Sequence, residues 1–433
     1  MAGVNLGPES TRLRVAMISL HTSPLDQPGI GDSGGMNVYV RSVAERLARG
    51  GVAVDVFTRC QGRAVPEVQA IGELQRVIQV PAGPCAPVPK DELAELLPQF
   101  AQALLARQEL ERIRYDIVHA HYWLSGSAAA VTKARWGVPL VASFHTLGRV
   151  KDRVLQNDSR EPPGRLQAEE SIMVQADRIL APTPTESFHL VDLYGADPER
   201  IRLVPPGVDL ERFRPGDAGA AKKTLGLEGK RVALFVGRLQ LLKGPDVAIR
   251  AVADAIRRDP GSTADLVLVL VGGPSGGGDR TLEVARLMEL ASEERIADRV
   301  RFVPPMPHEE LPRAYRAADV LLAPSRSESF GLAALEAQAC GTPVIAASVG
   351  GLPHVVADGE SGLLVPGHDP AAYADRILAI VNDPLLTGRL SRGALAHASS
   401  YSWDITTERM RSVYAELSPA GERAAQVTGA LAP

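Results

Sequence analysis

The chain has 433 residues, 45% of them hydrophobic and 23% charged, too many for one typical core and suited to two domains of about 200 residues each. A formal net charge of −4 and a pI near 6.2 exclude the basic field of a nucleic-acid binder. No stretch approaches about 20 uninterrupted apolar residues, and residues 1–12 lack a signal-peptide core, so the expectation is a cytoplasmic protein without a membrane span, its N-terminus a short frayed tail.

In chain order, the first expected strand is Leu13 to Leu20. A loop, His21 to Asn37, follows and carries Pro24, Pro28, Gly29, Gly31, Gly34 and Gly35. Helical periodicity runs from Val38 to Arg49, stopped by Gly50 and Gly51 in the capping role that glycine suits. Further short apolar runs read as buried parallel strands: Val52 to Thr58, Asp116 to His119, Leu140 to Phe144 and Arg178 to Ala181. Pro205 to Gly216 reads as a linker. A second alternation then gives strands at Val232–Val236, Leu266–Val271, Val300–Val303, Val320–Ala323, Pro343–Ala346 and Gly362–Val365, with a helix around Asp246–Arg257. Two runs of strand–helix units imply two doubly wound α/β domains facing across a cleft. The expected division is 1–210 and 211–403, with a helix over 404–418 packing back on the first domain and a loose tail at 419–433. Cys60, Cys85 and Cys340 are odd in number, far apart and without ligand spacing, so neither a disulfide framework nor a zinc site is expected.

Several strand ends carry candidate chemistry. Gly31 to Asn37 lets the backbone approach an anion at a helix N-terminus, or it is merely a tight turn. Arg238 and Lys243 flank a strand–helix loop and would clamp adjacent phosphates; elsewhere such a pair would be solvated surface charge. Glu328 to Glu336 reads as a helix with both carboxylates on roughly one face. Glu328 is either a ligand or an N-terminal cap, whereas an idle Glu336 among Leu332, Leu335 and Ala337 would be costly. Gly272 to Gly276 is a glycine-rich strand end, with or without a ligand. His119 and His121 share a face only in a strand, and nothing nearby completes a metal set.

The stretch Glu328-Ser-Phe-Gly, Glu336, Gly341-Thr-Pro-Val, Gly350-Gly351 and the strand leading into Gly237-Arg238…Lys243-Gly244 resembles the retaining glycosyltransferases of the GT-B fold. The segments His21–Pro24, Gly31–Tyr39, His121–Gly126, Phe235–Gln240 and Glu336–Pro343 resemble, more narrowly, the actinobacterial D-inositol-3-phosphate glycosyltransferases that open mycothiol synthesis. The resemblance runs from about Arg14 to Thr407. It implies transfer of N-acetylglucosamine from UDP-N-acetylglucosamine to 1D-myo-inositol 3-phosphate with retention, in a cytoplasmic homodimer, with the first domain binding the acceptor and the second the nucleotide sugar. It implies acceptor-phosphate ligands at Lys90, Tyr122, Thr146 and Arg165, and inositol contacts at His21, Asp32, Ser33, Gly34, Gly35, Met36 and Asn37. Donor contacts would be Gln27, Pro28, Gly35, Arg238, Lys243, Met306, Glu328 and Glu336, of which Arg238, Lys243 and Glu328 serve the chemistry. A structural magnesium ion is implied at Tyr315, Arg316, Ala318 and Thr342. Two acceptor-side stretches depart from the pattern: Ser143 to Lys151 is closer to sucrose-synthesising relatives, and Pro87 to Pro89 differs. A sucrose- or sucrose-phosphate-type synthase and a non-catalytic nucleotide-sugar binder are the competing readings; intact Arg238, Lys243, Glu328 and Glu336 count against the second.

Overall fold

A computed structural model describes residues 12–62, 64–155, 161–274 and 280–418. The expected N-terminal tail, the end of the Gly272–Gly276 stretch and the tail at 419–433 lie outside the described residues. Eight strands form the first sheet: β1 (Arg14–Ile18), β2 (Ala53–Arg59), β3 (Val68–Gly72), β4 (Gln75–Val80), β5 (Ile117–His121), β6 (Leu140–Ser143), β7 (Arg178–Ala181) and β8 (Ile201–Leu203). Their spatial order is β3-β4-β2-β1-β5-β6-β7-β8, parallel throughout except that β3 runs antiparallel to β4. Six strands form the second: β9 (Arg231–Val236), β10 (Leu266–Val271), β11 (Val300–Val303), β12 (Val320–Ala323), β13 (Val344–Ala347) and β14 (Gly362–Val365), in the order β11-β10-β9-β12-β13-β14, all parallel.

Burial explains which strands were apolar runs. β10 (LVLVLV) is buried at every position because helices cover both faces of a parallel sheet. The helix Pro245–Arg258 supplies one cover, burying Val247, Ala248, Ile249, Ala251, Val252 and Ala255. β3 is a half-exposed edge and β8 spans three residues; neither was expected from sequence, nor was β4. In each sheet the order reverses at one strand, β1 in the first and β9 in the second. Ligands bind beyond the carboxyl ends of strands at such switch points.

Two expectations are corrected here. Cys60 and Cys85 are joined as a disulfide, with Cα atoms 4.9 Å apart. β2 and β4 are paired neighbours, with Arg59 opposite Val80, so residues just past the two strand ends meet despite their distance in sequence. Cys340 alone is a buried free thiol. The helix bearing Glu336 starts at Leu332 and ends at Ala339, so Glu328 lies in the preceding loop rather than on a shared helix face.

The chain passes between the sheets twice. Near residue 205 it leaves the first; the helix Trp403–Leu417 brings it back, burying Trp403 and Tyr414. Trp403 packs edge-on to Tyr39, and Tyr414 OH lies 2.8 Å from His119 Nδ1. The two crossings touch: Val208 N donates to Tyr401 O at 2.8 Å, and Thr406 Oγ1 donates to Pro205 O at 2.8 Å. Among the described residues no helix is long and apolar enough to cross a membrane.

Candidate active site

The loops after β1 and β9 face each other across a cavity of about 320 Å3. Two helix N-termini open onto it, through Gly34, Gly35 and Met36 of the first domain and Gly331, Leu332 and Ala333 of the second. Unpaired amides and the helix dipole favour anions there. A Cβ on Gly34 would come within 4.0 Å of Arg238 Nε, so the glycine loop lies against the guanidinium.

On the second-domain side Arg238, Lys243, Met306, Glu328 and Glu336 all line the cavity. Lys243 Nζ donates to Glu328 Oε2 at 2.6 Å; among the described residues no carboxylate pairs with Arg238. Glu328 is held from behind: Gly351 N donates to Glu328 O at 2.8 Å. Gly350, at φ +53, leaves no room for a side chain, since a Cβ would stand 2.0 Å from that carbonyl. Glu336 is buried and not idle even without a ligand. Tyr315 OH donates to its Oε2 at 2.8 Å, and His308 Nε2 lies 2.7 Å from its Oε1. Arg212 Nη1 donates to His308 Nδ1 at 3.1 Å, so the ring proton sits on Nε2 and is given to Glu336. The remaining donor candidates divide. Pro28 and Gly35 line the cavity, whereas Gln27 spends its amide on a cross-domain bond to Pro305 O at 3.0 Å.

On the first-domain side His21, Asp32, Gly34, Gly35, Met36, Lys90, Tyr122 and Thr146 line the cavity. His21 packs against Tyr122 with the rings tilted and their centres 4.7 Å apart, and its Nδ1 is buried without a hydrogen-bond partner. Burial holds its pKa well below the usual imidazole value, helped by the nearby cations Lys90, Arg238 and Arg165. A neutral ring with an orphaned nitrogen suits a sugar or cyclitol hydroxyl. Lys90 Nζ sits 4.5 Å from the Tyr122 ring centre, and burial pushes its pKa down to about 8. Ser33 and Asn37 turn inward instead: Ser33 Oγ and Thr22 Oγ1 are 2.9 Å apart, and Asn37 Oδ1 accepts from Gly34 N at 2.9 Å. They shape the loop. Arg165 stands behind Thr146. It donates to Glu169 Oε1 (2.8 Å), Glu161 Oε2 (2.6 Å), Thr146 O (3.0 Å) and Thr146 Oγ1 (3.1 Å), leaving one of its five N–H donors. Burial opposes its charge, but Tyr122, Glu169 and Glu161 outweigh that and raise its pKa.

The positions implied for magnesium offer carbonyl and hydroxyl oxygens only, and some of these are already engaged. Thr342 Oγ1 donates to the Tyr315 carbonyl at 2.7 Å, Ala318 N donates to the same oxygen at 3.1 Å, and Arg316 Nε donates to Arg214 O. Among the described residues no group of three or more His, Cys, Asp or Glu gathers for a metal. Two of the implied oxygens, Tyr315 O and Thr342 Oγ1, are thus bonded to each other, and the set contains no carboxylate of the kind a magnesium ion usually takes.

His308 escaped the sequence, as did the contacts of His145 and Ser329, although both lie in stretches singled out above. His308 follows β11 and so lies at a strand's carboxyl end, which was the one available signal. His145 lines the cavity at φ +60, and its ring meets His121 Nδ1 at 3.1 Å. Burial drives His119 and His145 down to about pKa 3, so this group stays neutral. Ser329 Oγ donates to His145 O at 2.6 Å, tying the two domains together.

Two facing doubly wound sheets, with an anion-binding loop at each switch point and a cavity between them, define a GT-B glycosyltransferase. The models for glycosyl transferases group 1 and glycosyltransferase family 4 match residues 219–396 and 33–212. The chain is 52% identical to the D-inositol 3-phosphate glycosyltransferase of Acidothermus cellulolyticus, over 94% of this chain and 91% of that one. The sucrose-phosphate synthase of Thermosynechococcus elongatus superposes with a TM-score of 0.86 at 34% identity, covering 94% and 99% of the two chains. Anabaena HepE, solved with UDP and glucose, shares the fold at 19% identity and a TM-score of 0.74, over 94% and 100%. The chain belongs to the D-inositol 3-phosphate glycosyltransferase family, within the group 1 glycosyltransferases.

Proposed function

We propose that the enzyme transfers N-acetylglucosamine from UDP-N-acetylglucosamine to 1D-myo-inositol 3-phosphate with retention, the opening step of mycothiol synthesis. The observation that carries this is the opposed charge pattern of one cavity. Lys90, Tyr122 and Thr146 offer a cation and two hydroxyls on one wall, and Arg238 and Lys243 offer two cations on the other. The first set suits a phosphorylated acceptor and the second a diphosphate. Arg238, Lys243 and the second-domain helix N-terminus stabilise the charge that grows on the leaving diphosphate. Glu328 orients donor-sugar hydroxyls and Glu336 the ribose. Glu336 is held by Tyr315 and His308, and Glu328 is assigned to the sugar hydroxyls, so neither carboxylate is cast as a protein nucleophile. Front-face attack by an inositol hydroxyl, with the departing phosphate taking its proton, then accounts for retention. The homodimer implied by the resemblance belongs to the same reading, and sedimentation checks it.

The likeness to sucrose-phosphate synthase favours one alternative, a hexose-phosphate acceptor. UDP release from UDP-N-acetylglucosamine, measured with inositol 3-phosphate and with fructose 6-phosphate, separates the two. Preference for the hexose phosphate, or equal use of plain inositol, overturns the proposal.

A further inference from the structure

The carboxylate assigned to the ribose is gripped at both oxygens. Tyr315 OH donates to Glu336 Oε2 at 2.8 Å, and His308 Nε2 lies 2.7 Å from Oε1. The two holders come from separate places. Tyr315 is fully buried on the helix Leu311–Ala317, and His308 stands in the turn between β11 and that helix. All three side chains line the cavity.

Both bonds run one way, toward Glu336. Burial and the neighbouring Glu336 hold the Tyr315 hydroxyl well above its usual pKa, so it keeps its proton. His308 accepts from Arg212 Nη1 at Nδ1, at 3.1 Å, so its ring proton is on Nε2 and faces the carboxylate. The ring is itself fixed. Its centre lies 5.1 Å from that of Phe213, which also packs edge-on to Tyr315 at 5.9 Å. A carboxylate offers about four lone-pair sites. One on each oxygen is taken by a holder, and one on each oxygen remains. Two adjacent acceptors with a fixed direction match a vicinal diol, each hydroxyl donating to one oxygen. A loose glutamate would lose rotamer freedom on binding; here folding has already fixed it.

We propose that His308 is a positioning residue for the donor nucleotide: by holding Oε1 it aims Glu336 at the ribose diol and makes the enzyme select donors whose nucleotide carries both ribose hydroxyls. The inference rests on Glu336 being the ribose ligand and does not depend on which acceptor is used.

The test is calorimetric binding of UDP and of its dideoxyribose analogue, which lacks both hydroxyls. Wild type should bind UDP about thirtyfold tighter, since hydrogen bonds to a charged group are at stake. His308→Leu removes the donor and should cut that preference about tenfold, with the analogue's own affinity within about threefold of wild type. His308→Phe keeps a ring against Phe213 and is a second variant without a donor, expected to behave alike. His308→Gln returns an amide N–H near the place of Nε2 and should restore the preference to within about threefold. In turnover, the Leu variant should raise donor KM about tenfold and leave kcat within about threefold, because the ribose is held equally in the ground and transition states. Donors that merely satisfied a buried carboxylate would alter folding stability and leave the preference alone. A Leu or Phe variant that keeps the wild-type preference, or that weakens both nucleotides equally, overturns the proposal, as does a Gln variant no better than Leu. Glu336→Gln separates this failure from that of the underlying reading. If it loses the preference while the His308 variants keep it, His308 alone is misassigned. If it too keeps the preference, or wild type shows none, Glu336 is not the ribose ligand and both assignments fall.

Discussion

Lys243 and Glu328 neutralise each other in the free protein at 2.6 Å, with both side chains largely buried. A diphosphate arriving beside Arg238 would draw the ammonium toward itself and leave Glu328 free to accept from sugar hydroxyls. Lys243→Ala should lower turnover by about a hundredfold or more while circular dichroism stays unchanged; near-normal turnover would remove it from the chemistry. Glu336→Gln keeps an oxygen acceptor but loses one of the two that His308 and Tyr315 now occupy. It should weaken UDP binding about tenfold by calorimetry. Lys90 gives a pH signature of its own. Its pKa is pushed down to about 8 by burial, so the free enzyme loses the cation, and with it kcat/KM for a phosphorylated acceptor, as pH rises through that value. A bound phosphate dianion raises the pKa again, so kcat at saturation escapes this limb.

The helix Pro163–Gln175 shows why a cation behind the cavity wall can be hard to test by deletion. It places Arg165 and Glu169 one turn apart, with Glu161 just before its start. Glu169 is fully buried and otherwise held only by the neutral donors Gly148 N and Tyr194 OH, so Arg165→Ala leaves its charge without a cation and should cost about 3–5 kcal/mol in denaturant unfolding. Arg165→Lys keeps the charge without the fork. It should fold and raise KM for the phosphorylated acceptor about tenfold or more; an unchanged KM would assign Arg165 to scaffolding alone. The same scale sets what a sequence can reveal. β9 and β10 were legible because both faces of a parallel strand are covered, leaving uninterrupted apolar runs. β4 (QRVIQV) was not, because Arg76 reaches out to Asp55 and Glu111 and breaks its pattern. The glycine loops after β1 and β9 were legible as strand ends. His308 was not, because it is one residue brought to the cleft by packing from a separate element. The Cys60–Cys85 pairing likewise follows from strand order, which spacing does not encode.

The whole molecule is divided by its cleft but not by its chain order. Trp403, Met410, Val413 and Tyr414 belong to the core beneath β1 and β5, some 200 positions after that domain's other residues. Ending the chain at Ser402 should therefore destabilise the first domain rather than trim an appendage, turning one cooperative unfolding transition into an early loss of the first sheet by calorimetry. Retained cooperativity would show that the returning helix is dispensable. The two crossing segments lie side by side, bonded at Val208–Tyr401 and Pro205–Thr406, and Gly207 is pressed so close that a Cβ would stand 2.3 Å from Trp403 N. A pair of strands laced together in this way behaves as a pin rather than as two independent tethers. Opening reduces to swinging about one line, and travel grows with distance from it. Gln27 and Pro305, which meet across the cleft, part as the cleft opens, so a pair of spectroscopic labels placed there would read the motion directly, while labels beside Val208 would stay silent through the whole cycle.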